Sequence, residues 1–176
     1  MDNNLAVIYL SILLALLFGV GLVIFRQVFK TRKTESALSR LETKLTKDKG
    51  TAQEYYELGS IYLDKKVYSQ ASSLFQKAIK AAEQEGEENV GLIYNALGFA
   101  YFAQEQYDLA IRHYKEALKH KPNYVIALNN LGHAYERKTL MAQALQTYDQ
   151  VLESDPKNAT AKRRAESLRR RLVTSA

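Results

Sequence analysis

The strongest constraint on this chain is a spacing. Leu58-Gly59-x-x-Tyr62 returns as Leu97-Gly98-x-x-Tyr101 and again as Leu131-Gly132-x-x-Tyr135. The second and third copies are 34 residues apart; the first and second are 39 apart, one 34-residue unit plus five extra residues. Each copy is followed by the same succession. A small residue comes twelve positions after the glycine (Ala71, Ala110, Ala144), an aromatic four later (Phe75, Tyr114, Tyr148), and Ala78, Ala117 or Val151 three beyond that. A fixed period of this length means that each unit is one supersecondary element that buries its apolar face on its neighbours. Apolar residues at helical spacing, with only two prolines in the chain, make each unit two amphipathic helices. The glycines and alanines let the two backbones approach, and the aromatics are expected to fill the space between neighbouring pairs. Pro122 and Pro156 close the second and third units, because proline cannot donate to the preceding turn. The first unit lacks that proline. The aromatic three residues before Leu-Gly is Tyr55, then Tyr94, but Leu128 in the third unit.

The period and its residue types resemble the tetratricopeptide repeat. The resemblance implies an all-α superhelix, with three helix-turn-helix repeats at 52–85, 91–124 and 125–158 spanning 51–158, and a basic capping helix over 159–176. It also implies that the first helix of each pair lines a concave groove for another polypeptide. Helical geometry then groups Gln53, Tyr56, Ser60 and Leu63 on the first such helix. The second set is Leu92, Asn95, Phe99 and Phe102, and the third is Ile126, Asn129, His133 and Glu136. The lining has an apolar middle and two amides one repeat apart. Amides can donate to and accept from an extended backbone, and aromatics can hold side chains. Periodicity leaves a second reading open, in which Asn95 and Asn129 brace neighbouring helices and the apolar residues pack on the terminal helix. The positions that bind chaperone C-terminal carboxylates in one class of these repeats fall on Tyr56, Ser60, Ala96, Ile126 and Asn130. None offers the paired cations a carboxylate needs, so that docking mode is not expected.

Leu5 to Phe25 is a run of 21 residues without a charge. As a helix it is about 32 Å long, enough to cross a hydrocarbon core. A cleaved signal peptide fits poorly: no basic residue precedes the run, and Arg26 follows it where a small-residue cleavage site belongs. The expectation is a transmembrane anchor over 1–25, followed by a basic juxtamembrane connecting helix over 26–50. In that helix Leu38, Leu41 and Leu45 are expected to pack on the first repeat. Arg26, Lys30, Arg32 and Lys33 follow the span and Asp2 precedes it, so the basic side stays cytoplasmic. This flank would also attract anionic lipid. Ser11, Ala15 and Gly19 recur every four residues within the span, a small-residue stripe of the kind that lets membrane helices pack closely.

Charge is uneven. Residues 26–50 carry eight basic and three acidic side chains and residues 157–176 seven and one, while the repeats at 51–156 carry ten and fourteen. The terminal helix, from Asn158 to Leu172, has an apolar stripe of Ala161, Ala165, Leu168 and Leu172 to cover the end of the array. Its outer face is expected to hold Lys162, Arg163, Arg169, Arg170 and Arg171. No aromatic platform interleaves with that basic run, so nucleic acid is not the expected partner. The five extra residues, with Glu85, Glu87 and Glu88, read as an exposed loop that lengthens the first hairpin.

No catalytic signature is present. His113, His120 and His133 lack metal-ligand neighbourhoods, there is no cysteine, and no glycine-rich phosphate loop or nucleophile turn occurs. An enzyme, a cofactor and a metal site are therefore not expected.

One span, then Arg-Gln-Val-Phe-Lys-Thr-Arg-Lys-Thr-Glu from Arg26 to Glu35, three repeats and a basic end together resemble a particular family. These are the small membrane-anchored repeat proteins that assist photosystem I assembly in cyanobacteria and algal plastids. The resemblance implies a single-pass thylakoid protein with a lumenal N-terminus. Its repeats would be cytoplasmic or stromal, its partners photosystem I subunits or assembly intermediates, and its role that of a scaffold. Two alternatives share the architecture: a membrane receptor for targeting or transit segments, and a general scaffold for envelope-complex biogenesis.

Overall fold

The computed structural model describes residues 2–87 and 90–174, and the regular structure among them is helical throughout. The helices are α1 (Asp2–Lys47), α2 (Ala52–Asp64), α3 (Tyr68–Glu85), α4 (Gly91–Ala103), α5 (Tyr107–His120), α6 (Val125–Arg137), α7 (Met141–Ser154) and α8 (Ala159–Thr174). The chain divides after Lys47 into two units, α1 and the array α2–α8. Glu88 lies outside the described residues, as do the side chains of Asp2 and Lys30.

Helix α1 runs without a break through Arg26, so the apolar stretch and the basic stretch after it are one helix. Side chains from Val7 to Phe29 are exposed on every face of it. A helix apolar all round is at home only where no face meets water, and α1 is long and apolar enough to cross a membrane.

In the second unit α2–α3, α4–α5 and α6–α7 form three helical hairpins, and α8 packs on α7. The glycine of each Leu-Gly step explains the pairing. A Cβ built on Gly59 would stand 2.8 Å from the Phe75 ring, one on Gly98 2.7 Å from the Tyr114 ring, and one on Gly132 2.8 Å from the Tyr148 ring. Each ring therefore lies directly against the glycine of its own hairpin, where only a hydrogen fits. This refines the expectation that the aromatics fill the gaps between hairpins. The same rings then join the next hairpin's apolar residues, Phe75 with Ile93 and Leu97, and Tyr114 with Leu128 and Leu131.

The turn inside each hairpin is built alike. Lys66, Glu105 and Thr139 adopt left-handed φ of 62°, 60° and 58°. Around them the helix ends in paired reverse bonds: Lys66 N to Leu63 O with Val67 N to Tyr62 O, Glu105 N to Phe102 O with Gln106 N to Tyr101 O, and Thr139 N to Glu136 O with Leu140 N to Tyr135 O. These satisfy the last carbonyls of the first helix, a geometry that usually recruits glycine. The tyrosine of each Leu-Gly-x-x-Tyr supplies, through its backbone carbonyl, the acceptor of the bond that spans more residues.

The five extra residues are accounted for. Helix α3 has 18 residues where α5 and α7 have 14, and the linker 86–90 is one residue longer than 121–124. The first hairpin lacks its proline because the helix goes on for another turn, ending at Gly86 in a left-handed cap. The extra turn brings Glu85 back to the start of α2, where its carboxylate accepts from Ala52 N at 3.1 Å. Of the two described glutamates there, Glu85 thus belongs to the helix and Glu87 to the loop. Thr51 starts α2 in a reciprocal cap with Glu54, and Asn158 starts α8 by accepting from Ala161 N at 3.0 Å.

Candidate protein-binding face

Large apolar side chains exposed on the array are few, and three of them fall on the expected groove. Leu92 is 40% exposed, Phe99 42% and Ile126 57%. Leu92 and Phe99 are seven residues apart on α4, so they share a face, and Ile126 is the 34-residue counterpart of Leu92 on α6. Tyr56 and Leu92 meet across α2 and α4 in a cleft of about 160 Å³ that Ala52, Gln53, Glu87 and Ile93 complete. Ser60 is half-buried and its hydroxyl donates to Tyr56 O at 2.8 Å. Leu63 is half-buried against the first core.

The two amides do different work. Asn95 Oδ1 accepts from Asn130 Nδ2 at 3.1 Å, a bond that ties α4 to α6. Asn129 Nδ2 donates to Val125 O of its own helix at 3.1 Å, and its Oδ1 is buried with no partner among the described residues. Bracing of neighbouring helices is thus real for Asn95, but its partner is the residue after the one that repeat register singles out. Asn130 could be found in the sequence only by asking what stands opposite Asn95.

Phe102 packs its ring 4.8 Å from His133 and edge-on to Tyr107 at 5.3 Å. Burial, and then the Arg164 cation, push the His133 imidazole below its ordinary pKa, against the pull of Glu136. Glu136 is only 15% exposed: it accepts from Tyr148 Oη at 2.7 Å and from Arg164 Nη1 at 3.1 Å. It therefore joins α6, α7 and α8. On α1, Ser11, Ala15 and Gly19 are exposed, Ser11 Oγ donates to Val7 O at 2.8 Å, and nothing lies within 4 Å of a Cβ built on Gly19.

The other two histidines lie between helices. His113 stacks between Tyr94 and Tyr101, with centroids at 6.1 and 5.3 Å, and His120 stacks on Tyr94 at 5.5 Å. Among the described residues no three His, Asp or Glu side chains converge as a metal site.

The tetratricopeptide repeat family matches residues 50–123 and again 95–159. Over 93% of its length the chain is 37% identical to the protein ycf37 of Cyanophora paradoxa, 95% of which is covered. The chain belongs to the ycf37 family. Another ycf37 protein, from Guillardia theta, is 34% identical over 98% of the chain and 97% of its own length. The chloroplastic tetratricopeptide repeat domain-containing protein PYG7 of Arabidopsis thaliana is 36% identical over 93% of the chain, which spans about half, 54%, of that longer relative. Among solved structures, YrrB, a repeat protein with an unusual peptide-binding site, superposes with a TM-score of 0.67 at 29% identity, over 79% of the chain and 69% of YrrB. The first repeat domain of RPAP3, bound to an HSP90 peptide, superposes with a TM-score of 0.65 over 72% of the chain and 96% of that domain; at 21% identity it speaks for the fold alone.

In this ycf37-family array α8 keeps the register of a first helix. Ala161, Ala165 and Leu168 are buried, as are Ala127, Leu131 and Ala134 exactly one period earlier. The expected outer face is therefore two faces. Lys162, Glu166 and Arg169 stand where Leu128, Gly132 and Tyr135 stand in α6 and are exposed, whereas Arg163 and Arg170 stand where Asn129 and Glu136 stand. Arg169 Nη2 also pairs with Asp149 of α7 at 2.6 Å.

Proposed function

We propose that this ycf37-family chain is a membrane-tethered, non-enzymatic scaffold that binds a segment of a photosystem I subunit or assembly intermediate. The observation that carries protein binding is the exposed apolar strip Leu92, Phe99 and Ile126 beside the cleft at Tyr56. Apolar side chains grouped on one face of an otherwise polar surface mark a partner's seat. Ser60, Asn95, Phe102, Asn129 and His133 complete the lining. The Arg26–Glu35 resemblance and a chloroplastic relative support the photosynthetic membrane and the photosystem I client.

The chain reads as an anchor at 1–25, a basic connector at 26–50, repeats at 52–85, 91–124 and 125–158, and a cap at 159–176. With the basic flank held on the cytoplasmic or stromal side, the N-terminus is lumenal and the repeats face the compartment where peripheral subunits dock. The Ser11, Ala15 and Gly19 stripe offers a packing surface to another membrane helix. Tethering raises the effective concentration of the groove toward membrane subunits, so a weak site suffices.

The test is capture of the full chain from gently solubilised thylakoid membranes, with co-purifying proteins identified by mass spectrometry. Photosystem I subunits are expected with the wild type and lost with Phe99→Ala combined with Ile126→Ala. Recovery of the wild type without any such subunit would sink the reading.

A further inference from the structure

We infer that the binding face is electrically polar along its length, and that it takes an extended polypeptide segment with a basic side chain at its α2 end, an apolar middle, and an acidic side chain at its α8 end. This rests on the reading of that face as the binding surface. Three observations carry it.

The first is the register of α8. Because Ala161, Ala165 and Leu168 repeat the burial of Ala127, Leu131 and Ala134, Arg163 stands at the position of Asn129, on the side that continues the groove. Arg164 stands at the position of Asn130 and reaches back in the same way, Asn130 to α4 and Arg164 to α6. The second is how charge is consumed at that end. Glu136, the anion there, is already bonded to Arg164 and Tyr148, and it is largely screened from a ligand. The exposed Arg163 cation therefore sets the sign that an incoming segment meets, and a carboxylate is its complement.

The third lies at the opposite end. The cleft of about 160 Å³ has an apolar floor of Tyr56, Leu92 and Ile93 and a polar rim of Gln53 and the exposed Glu87. That is room for one side chain. A lysine or arginine suits both parts, with its methylene stem on the floor and its charge at the rim. Between the two ends Leu92, Asn95, Phe99, Ile126, Asn129 and Asn130 carry no ionisable group. A wrongly oriented segment would meet like charge at both ends, which costs more than the right orientation gains.

Short synthetic peptides test this, each with a core of Leu and Phe alternating with Ser. One has Lys before and Asp after the core, one has the two exchanged, and one has neither. A fluorophore sits beside the Asp. The chain has no cysteine, so Ser69→Cys, exposed on α3 outside the cleft, or Ser167→Cys each places a single quencher on the full chain in neutral-lipid nanodiscs. The fluorophore is expected to be quenched more from Ser167→Cys than from Ser69→Cys for whichever charged peptide binds more tightly. Arg163→Glu is expected to weaken that peptide about tenfold and to leave the uncharged one unchanged. Lys162→Glu carries the same change of charge on the other face of α8 and is expected to do neither. Equal quenching from the two sites, or equal effects of Arg163→Glu and Lys162→Glu, overturns the polarity while the groove stands. Unchanged binding in Phe99→Ala, or no binding of any peptide up to about 1 mM, overturns the groove and the polarity with it.

Discussion

The seams inside the hairpins and the face across them obey opposite rules. Inside, the three units are close to copies: Gly59 on Phe75, Gly98 on Tyr114, Gly132 on Tyr148, each at nearly the same distance, each followed by the same left-handed turn. Across the face, equivalent positions diverge. Phe99 is answered by His133, Phe102 by Glu136, and Ala96 by Asn130, although Leu92 and Ile126 are alike in kind and Asn95 is matched by Asn129. Packing against a neighbour of fixed shape allows one solution, so it repeats. A surface that meets a different part of a ligand in each unit gains nothing from repetition. What repeats holds the array together, and what varies is free to differ from one unit to the next.

That contrast can be broken, beginning where it should be strongest. Gly98→Val places methyl groups on the Tyr114 ring, and the array is expected to lose about 3 kcal/mol or fail to fold. Thermal melting of the full chain in detergent, followed by circular dichroism, reads it; a melt like the wild type would mean the ring can move aside. Glu136→Ala leaves Arg164 and the Tyr148 hydroxyl without their shared acceptor and is expected to cost about 2 kcal/mol. A loss equal to that of a surface residue would return Glu136 to the binding face.

His113 sharpens the comparison by pH. Burial, and then the Arg112 cation, hold its imidazole below the ordinary value, against Glu116. The unfolded chain therefore binds the proton more readily, and stability is full above the ordinary histidine pKa of about 6.5 and falls as pH drops below it. The melting temperature is expected to fall between about pH 7.5 and pH 5.5, and to fall less in His113→Phe. Parallel pH profiles for the two proteins would assign the loss elsewhere. Thr139→Gly works in the opposite sense. It relieves a β-branched residue of a left-handed φ and is expected to add about 0.5–1 kcal/mol, read as a raised melting temperature. Smallest of all is Ile126→Ala on the exposed face, expected within about 0.5 kcal/mol of wild-type stability although client capture falls. A large stability loss there would make Ile126 a core residue and narrow the face.

Much of the array was legible because its signals are local and redundant. Period, glycine, alanine and aromatic all specify one hairpin, and the apolar run of α1 specifies a helix long and apolar enough to cross a membrane. The turn residues were not legible, since Lys66, Glu105 and Thr139 share no side-chain chemistry; the paired reverse bonds impose their shape. The extra turn of α3 was half legible. The five-residue surplus was plain, but whether it joined a helix or a loop depended on Glu85 reaching Ala52, a contact between residues 33 positions apart. On the face, sequence grouped Leu92, Phe99 and Ile126 but left open whether they are exposed or packed on the terminal helix, and it missed the pairing of Asn95 with Asn130. Register identifies equivalent positions, and a bond across helices joins positions that are not equivalent.

The polar trio on α8 has a consequence for assembly. Lys162, Glu166 and Arg169 occupy the places of Leu128, Gly132 and Tyr135, which in α6 are buried against neighbouring helices, so a packing surface has been converted into an exposed polar one by three side chains. Were they Leu, Gly and Tyr, that surface would match the pattern by which the hairpins already adhere, and molecules could add end to end into filaments. Solubility of the array is in this sense written in three positions, and it would be the first property forfeited if they drifted toward the consensus of the units before them.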